Sequence, residues 1–223
     1  MPTRSTTSSA PSKTVLLTGF DPFGGATVNP SWQAVQSLHG ERLLDHTVVA
    51  AQLPTVFGES LRCLSALLDA HRPALVICVG QAGGRGAISL ERVAINVDDA
   101  PIADNAGARP IDAPVRPRAP AAYFTGLPIK AMLAELQAAG LAAEVSQTAG
   151  TFVCNHVFYG LMRTLATHRS LRHARGGFVH VPWLPEQGAP NMALDDIVRG
   201  LRLAVHTALR VRQDGALGAG ATH

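Results

Sequence analysis

Residues 150–162, GTFVCNHVFYGLM, join a short β-prone run to an amphipathic helix. The run is Thr151–Val153, and it leads directly into the helical pattern. Val157, Leu161 and Leu165 then recur every four residues, which is the spacing of one apolar helix face. This junction predicts a chain that mixes β-strands with α-helices.

The same two patterns alternate along the rest of the chain. Predicted strands cover residues 14–19, 47–53, 74–80, 88–96, 143–147 and 177–181, and predicted helices cover residues 31–39, 56–70, 128–139, 155–167 and 191–211. This alternation predicts an α/β fold, a three-layer helix-sheet-helix sandwich with a twisted, mostly parallel open sheet. Sites in such sheets lie near the carboxyl ends of the strands.

Length and composition fit one domain. A chain of 223 residues that is 47% hydrophobic can bury one substantial core. We expect residues 13–212 to form a single catalytic α/β domain, residues 1–12 to be a disordered polar tail, and residues 213–223 to be a flexible tail. The Pro-rich segment 98–122 exceeds the usual loop length, and we expect it to form a lid or a subunit-contact arm.

Charge and cysteine content argue against several classes of function. The net charge is only +3 and the arginines are scattered, except over residues 163–175, so we expect no nucleic-acid partner. No apolar run has membrane-spanning length, so we expect no membrane partner. Cys63, Cys78 and Cys154 fit no disulfide framework, which favours a reducing, cytoplasmic compartment. No motif has metal-ligand spacing, so we expect neither a metal nor another cofactor.

Cys154 is the first candidate for chemistry. The helical pattern places its thiol at or just before a helix N-terminus, where free backbone N–H groups and the helix dipole stabilise a thiolate. Because the thiolate is the nucleophilic form of cysteine, the position suits covalent catalysis. The alternative is a small buried apolar residue, which is common for a lone cysteine.

A nucleophilic cysteine needs a base, and His180 is the best candidate. It lies in the strand-like run GGFVHVPWLP, where a buried imidazole needs a polar partner. His156 is closer to Cys154 in the sequence, but residues i and i+2 of a helix do not face each other. The alternative for His180 is a core histidine bonded to a backbone carbonyl.

Glu91 is the candidate group that orients the imidazole. It is a charged residue inside the β-prone run AISLERVAIN, and an acid near the core needs a hydrogen-bonding reason to be there. The alternative is an ion pair between Glu91 and Arg92 on an edge strand. Asp98 and Asp99 are the next candidates for the orienting role.

Together these residues carry a resemblance to a known family. The chain resembles the type I, cysteine-dependent pyroglutamyl peptidases (pyrrolidone carboxyl peptidases). The matching stretches are VLLTGFDPFGGATVNPSW at 15–32, GQAGGRGAISLERVAINVDDA at 80–100, GTFVCNHVFYGLM at 150–162 and GFVHVPWLPEQ at 177–187. Strings of this length and specificity, spread from the first strand to the last, do not match by chance.

The resemblance implies an activity and a catalytic triad. It implies a cysteine peptidase that removes N-terminal pyroglutamate (5-oxoproline) from peptides through a thioester acyl-enzyme, with the triad falling on Cys154, His180 and Glu91. Peptides with this N-terminus are the implied partners. The resemblance also implies a homo-oligomer, often a tetramer.

Five residues are expected to form the substrate pocket. A compact, uncharged lactam calls for flat apolar faces and a few amide-type partners. By resemblance Phe20 and Phe23, on an exposed strand-end loop, flank the lactam, and Phe152 and Val153 form a pocket wall. Gln81 directly follows a predicted strand and offers an amide. The alternative for the two loop phenylalanines is that they close the top of the core.

One departure and two rival functions remain. Pro101 stands where the family usually has an arginine, and Ala103 where it usually has a proline, which puts the conformation of this loop in question. A nucleoside-phosphorylase-like enzyme on a related scaffold would need a cationic phosphate site, and only Arg85 and Arg92 are near candidate strand ends. A catalytically silent binding homologue has Pro101 as its only indication.

Overall fold

A computed structural model describes residues 13–220 of the chain. The strands are β1 (Thr14–Phe20), β2 (Arg42–Leu43), β3 (His46–Leu53), β4 (Leu75–Gln81), β5 (Ile88–Glu91), β6 (Val93–Ile95), β7 (Ala122–Phe124), β8 (Ala143–Ser146) and β9 (Arg175–Val181). The α-helices are α1 (Pro30–Ser37), α2 (Glu59–His71), α3 (Ile129–Ala138), α4 (Val153–Thr167) and α5 (Leu194–Arg210). Short 3-10 turns cover Arg169–Leu171 and Pro185–Gln187.

Seven strands form one open sheet in the order β2-β3-β1-β4-β9-β5-β8. The neighbouring pairs β3–β1, β1–β4, β4–β9 and β5–β8 are parallel. Strand β2 runs antiparallel to β3, and β5 runs antiparallel to β9. Strands β6 and β7 form a separate antiparallel pair. The predicted α/β fold with a mostly parallel open sheet is therefore confirmed.

An apolar core lies on each face of the main sheet. Val15 and Leu17 of β1 belong to the core under α1, α3 and α5, whereas Leu16 belongs to the core under α2 and α4. Strands buried on both faces are apolar at successive positions, which explains the continuous run VLL in β1. Val157 and Leu161 of α4 are fully buried in the second core, as their helical spacing predicts.

Two segments differ from the sequence prediction. The predicted strand 88–96 is divided at Arg92, because β8 ends at Ser146 and the chain then leaves the main sheet to pair with β7. The predicted β-prone run Thr151–Val153 is not a strand. Helix α4 begins at Val153, two residues earlier than predicted, so Cys154 lies in its first turn.

The segment 98–122 folds back on itself as an arm beside the second core. Asp98 and Ala113 form a bridge through two backbone hydrogen bonds. Asp104 accepts hydrogen bonds from the Phe57 backbone N–H and from the backbone of its own turn, and Asn105 donates to the Pro22 carbonyl. The arm is therefore fixed to the loops that follow β1 and β3.

The ends of the chain were predicted as tails. Residues 1–12 and 221–223 lie outside the described residues, so the predicted disorder of the first segment stays a prediction. In the described part of the second tail, Asp214 accepts hydrogen bonds from the backbone N–H groups of Lys130 and Ala131 at the start of α3. Within residues 13–220, no helix combines the length and apolar character needed to cross a bilayer.

We expect Gly19→Ala to destabilise the fold. A Cβ at Gly19 would lie 2.6 Å from the backbone N and Cα of Trp32, so α1 would have to move away from β1. The free energy of unfolding should fall by about 2 kcal/mol or more, measured by urea denaturation. Gly215→Ala is the control, because nothing lies within 4 Å of its Cβ position. Equal denaturation midpoints for the two variants would contradict this close approach.

Candidate active site

Cys154 lies close to His180 because its thiol packs against Gly80 of β4. In the parallel register of β4 and β9, Gly80 is paired with His180. A Cβ at Gly80 would lie 2.8 Å from Cys154 Sγ and 2.9 Å from the Phe178 ring, so only glycine leaves space for the thiol here. Cys154 in α4 therefore rests on the strand position next to His180. Among residues 13–220 no hydrogen bond to the Cys154 thiol is formed.

Glu91 and His180 are paired inside the protein. Nδ1 of His180 lies 2.7 Å from Glu91 Oε1, and the exposed fractions of the two side chains are 5% and 0%. Because a carboxylate oxygen accepts, Nδ1 carries a proton, and in the neutral ring the lone pair is therefore on Nε2. The ring thus has the tautomer that a base requires. Glu91 is not the edge-strand surface charge considered as its alternative.

Arg85 completes this buried cluster, and its part in it was not predicted from the sequence. Its Nη1 donates to the same Oε1 of Glu91 at 2.8 Å and to Ser146 Oγ at 3.3 Å, while Nη2 donates to the Thr148 carbonyl at 3.1 Å. The only signal in the sequence is a single charged residue in the Gly-rich loop after β4. A guanidinium engaged in this way is not a free phosphate site.

The pKa of the Cys154 thiol is shifted in the direction opposite to the one expected from the helix N-terminus. Burial, and secondly the negative charge of Glu91, raise this pKa to about 12, although Arg85 opposes them. Burial disfavours the charged thiolate, which opposes the effect expected from the first turn of α4. The shift therefore opposes the thiolate that a helix N-terminus favours, and the thiol form is stabilised.

Backbone N–H groups without an intrahelical partner lie at the start of α4, in the turn that contains Cys154. The residue before the helix, Phe152, has an extended conformation, and no described side chain caps the first turn. The first helical bond runs from the His156 N–H to the Phe152 carbonyl. The N–H groups of the first turn before His156 therefore have no partner within the helix, and an oxyanion can bind to such groups.

An aromatic cluster lies beside this helix start. The ring centroids of Phe23 and Phe152 are 5.9 Å apart, and those of Phe57 and Phe152 are 5.4 Å apart with an edge-to-face geometry. Phe23 and Phe152 were expected in the pocket, and all three rings are partly exposed. Phe57 was missed, because a phenylalanine in the first turn of the predicted helix 56–70 has no distinctive pattern.

The other three predicted pocket residues have different environments. Phe20 is only 2% exposed, so the expectation of an exposed ring is wrong; it packs on Phe178, which in turn contacts His180 with centroids 4.9 Å apart. Val153 is fully buried in the core. Gln81 is partly exposed, and its Oε1 accepts from Gln187 Nε2 at 3.2 Å.

A second histidine–carboxylate pair anchors the arm. Nδ1 of His156 donates to Asp98 Oδ2 at 2.8 Å, and its Nε2 accepts from the Gly58 N–H at 3.0 Å. Both nitrogens are occupied, so His156 connects α4 to the arm and to the start of α2. Asp98 therefore lies on His156 and does not hydrogen-bond His180.

Asn155 also ties α4 to the neighbouring chain. Its Oδ1 accepts from the Ile95 N–H, and its Nδ2 donates to the Ile95 and Val97 carbonyls. Asn155 therefore fastens the first turn of α4, which also contains Cys154, to β6 and the residues after it.

Within the described ranges, no group of three or more His, Cys, Asp or Glu side chains is arranged to hold a metal ion.

The chain is similar to proteins of known family over nearly its whole length. The family model described as pyroglutamyl peptidase matches residues 13–211. A pyrrolidone-carboxylate peptidase from Cupriavidus taiwanensis is 61% identical over 206 residues, covering 90% of this chain and 95% of that protein. One from Bacillus cereus is 51% identical, covering 95% of this chain and 100% of that protein.

Solved structures of the same family are similar to this fold. The crystal structure of the pyroglutamyl peptidase I from Bacillus amyloliquefaciens superposes with a TM-score of 0.90 at 50% identity, covering 93% of this chain and 100% of that chain. A mutant pyrrolidone carboxyl peptidase from Pyrococcus furiosus gives a TM-score of 0.85 at 38% identity, covering 88% and 98%. The similarity therefore includes both the fold and the sequence.

We expect Asp98→Ala to lower stability, because it leaves the buried Nδ1–H of His156 without an acceptor. The free energy of unfolding should fall by about 1–3 kcal/mol. Asp98→Asn keeps an acceptor oxygen and should lose less. Asp99→Ala, at the neighbouring exposed carboxylate, is the control and should change stability by about 0.5 kcal/mol or less. If urea denaturation cannot distinguish Asp98→Ala from Asp99→Ala, the pair does not anchor the arm.

Proposed function

Because the chain belongs to the pyroglutamyl peptidase family, we propose that it removes N-terminal pyroglutamate from peptides. The observation that carries the proposal is the geometry of the buried cluster. Glu91 orients the His180 ring, and the Cys154 thiol lies at the strand position next to that ring. The proximity of these three side chains supports acyl transfer by a nucleophile, a base and an orienting acid.

In the proposed reaction His180 moves one proton. As Cys154 Sγ attacks the pyroglutamyl carbonyl carbon, Nε2 takes the thiol proton. When the C–N bond to the next residue breaks, His180 returns that proton to the leaving amine. The resulting thioester is hydrolysed by a water whose proton passes to His180 and then to the sulfur, which releases 5-oxoproline and restores the thiol. Backbone N–H groups at the start of α4 stabilise the oxyanion in both steps.

The aromatic cluster supports selection of a lactam. Phe23 and Phe152 offer flat apolar surface beside Cys154, and Gln81 offers an amide. An open-chain N-terminal glutamate would bring an ammonium and a carboxylate into this surface without partners, and their desolvation would be costly. The uncharged ring avoids this cost.

Assembly and compartment are further parts of the proposal. We propose a homo-oligomer such as a tetramer, supported by exposed apolar side chains on the arm and on β7, where Ile111 and Phe124 are 75% and 72% exposed. A cytoplasmic location is supported by Cys63, Cys78 and Cys154, which are all free thiols.

We expect Cys154→Ala to abolish turnover of a pyroglutamyl chromogenic amide, with a loss of at least about a thousandfold in kcat. His180→Ala should be comparably inactive, because the base and the nucleophile act as a unit. Cys63→Ala, at a partly buried thiol in α2, is the matched control and should keep wild-type rates. Full activity in a folded Cys154→Ala protein would exclude the thiol mechanism. Absence of turnover in the wild type would instead favour a silent homologue, and release of a base from nucleosides with phosphate would favour a phosphorylase.

Specificity gives a separate prediction. Phe23→Ala should raise KM for the pyroglutamyl amide more than it lowers kcat, because it removes contact surface that binds the ring before and during reaction. Leu44→Ala removes an exposed apolar side chain between β2 and β3 and should change neither constant. The wild-type enzyme should not cleave the matching glutamyl amide. Comparable cleavage of glutamyl and pyroglutamyl amides would contradict the proposed pocket.

A further inference from the structure

The two oxygens of Glu91 are paired unequally. Oε1 accepts from His180 Nδ1 at 2.7 Å and from Arg85 Nη1 at 2.8 Å. Oε2 is buried and has no hydrogen-bond partner among the described residues. A single oxygen of Glu91 therefore accepts hydrogen bonds from both His180 and Arg85, and these two side chains share one negative charge.

Arg85 is a permanent cation at this position. A guanidinium stays protonated in proteins, whereas an imidazole does not. The Arg85 side chain is 28% exposed and is further held by Ser146 Oγ and the Thr148 carbonyl, while Glu91 is completely buried. Water therefore screens the charges of this cluster only weakly.

The other titratable groups around His180 do not add a charge that changes the pairing of Glu91 with Arg85 and His180. Cys154 of α4 and Cys78 of β4 are both neutral as thiols, and burial raises the pKa of each to about 12. Glu144 of β8 accepts from Ser89 Oγ, which is beside His180 in the sheet, but Glu144 is exposed to solvent.

Arg92 is the remaining arginine near the cluster. It follows Glu91 in the chain, but its guanidinium donates to the Ala219 carbonyl. The carboxylate that would stabilise an imidazolium on His180 is thus already neutralised by Arg85. A proton on His180 would be a second positive charge on one carboxylate.

We propose that Arg85 is a positioning residue that neutralises Glu91, so that the resting site holds a neutral Cys154 thiol beside a neutral His180 ring. The inference rests on the proposed function, because it concerns the nucleophile and base of that reaction. The proton passes from Sγ to Nε2 as the sulfur attacks, and no thiolate–imidazolium pair is stored beforehand. Glu91 then orients the ring without holding it in the protonated form.

The test compares three variants by the pH dependence of kcat/KM for a pyroglutamyl amide. Arg85→Gln gives Glu91 back its full charge toward His180, so the acid limb should move to higher pH by about 1 unit. Arg85→Lys keeps a cation and should keep the wild-type limb. Arg92→Gln removes a neighbouring charge outside the cluster and is the matched control, with no shift expected.

A second readout does not depend on turnover. In the Cys154→Ala protein, the His180 ring can be titrated by NMR, with its signal identified by its absence after His180→Gln. Adding Arg85→Gln should move this titration upward by the same amount of about 1 pH unit. A wild-type chain without peptidase activity would refute the proposed function, and this titration would still decide the inference.

Three results would overturn the inference. They are an unchanged acid limb in Arg85→Gln, an equal shift in Arg92→Gln, or a shift in Arg85→Lys as large as in Arg85→Gln. If Arg85→Gln does not fold, Glu91→Gln is compared with Glu91→Gln/Arg85→Gln, which removes the charges of Glu91 and Arg85 together. The double variant should have its acid limb above that of Glu91→Gln, and equal limbs would reject the role of Arg85.

Discussion

The site depends on a completely buried carboxylate, Glu91, that has to be paired. An isolated ionised carboxylate inside a protein is very costly, so the surrounding structure must supply donors of fixed geometry. His180 and Arg85 supply them from β9 and from the loop after β4. Once these bonds are made, the imidazole has one tautomer and one orientation. The thiol, the start of α4 and the phenylalanine rings can act together only if the His180 imidazole keeps this orientation.

The thiol reaches this ring because two backbones approach closely. Gly80 has no side chain, and Cys154 Sγ occupies the space that a Cβ would fill. Asn155 holds the same helix turn to β6 through three hydrogen bonds. The helix is thus anchored directly beside Cys154, which limits the motion of the proposed nucleophile.

Burial also sets the chemical character of the site. A thiol at a helix N-terminus would have a lowered pKa if it were solvated, but here burial and Glu91 raise the pKa to about 12. Such a site favours proton transfer in concert with attack. The apolar rings beside the thiol also suit an uncharged lactam, so low solvation supports both the proposed mechanism and the proposed specificity.

The sequence by itself determined the alternation of strands and helices and the identity of the residues with reactive side chains, because local periodicity and residue type are local properties. It predicted Cys154, His180 and Glu91 as candidates, but it did not predict which strand arrangement brings Glu91 into contact with His180. That contact depends on β5 running antiparallel to β9 and ending at Glu91, which depends on which strands become neighbours. The burial of Phe20, the pairing of Arg85 and the direction of the thiol pKa shift were likewise decided by tertiary structure. Desolvation and charge pairing depend on distances between segments far apart in the chain, and local sequence patterns carry no information on those distances.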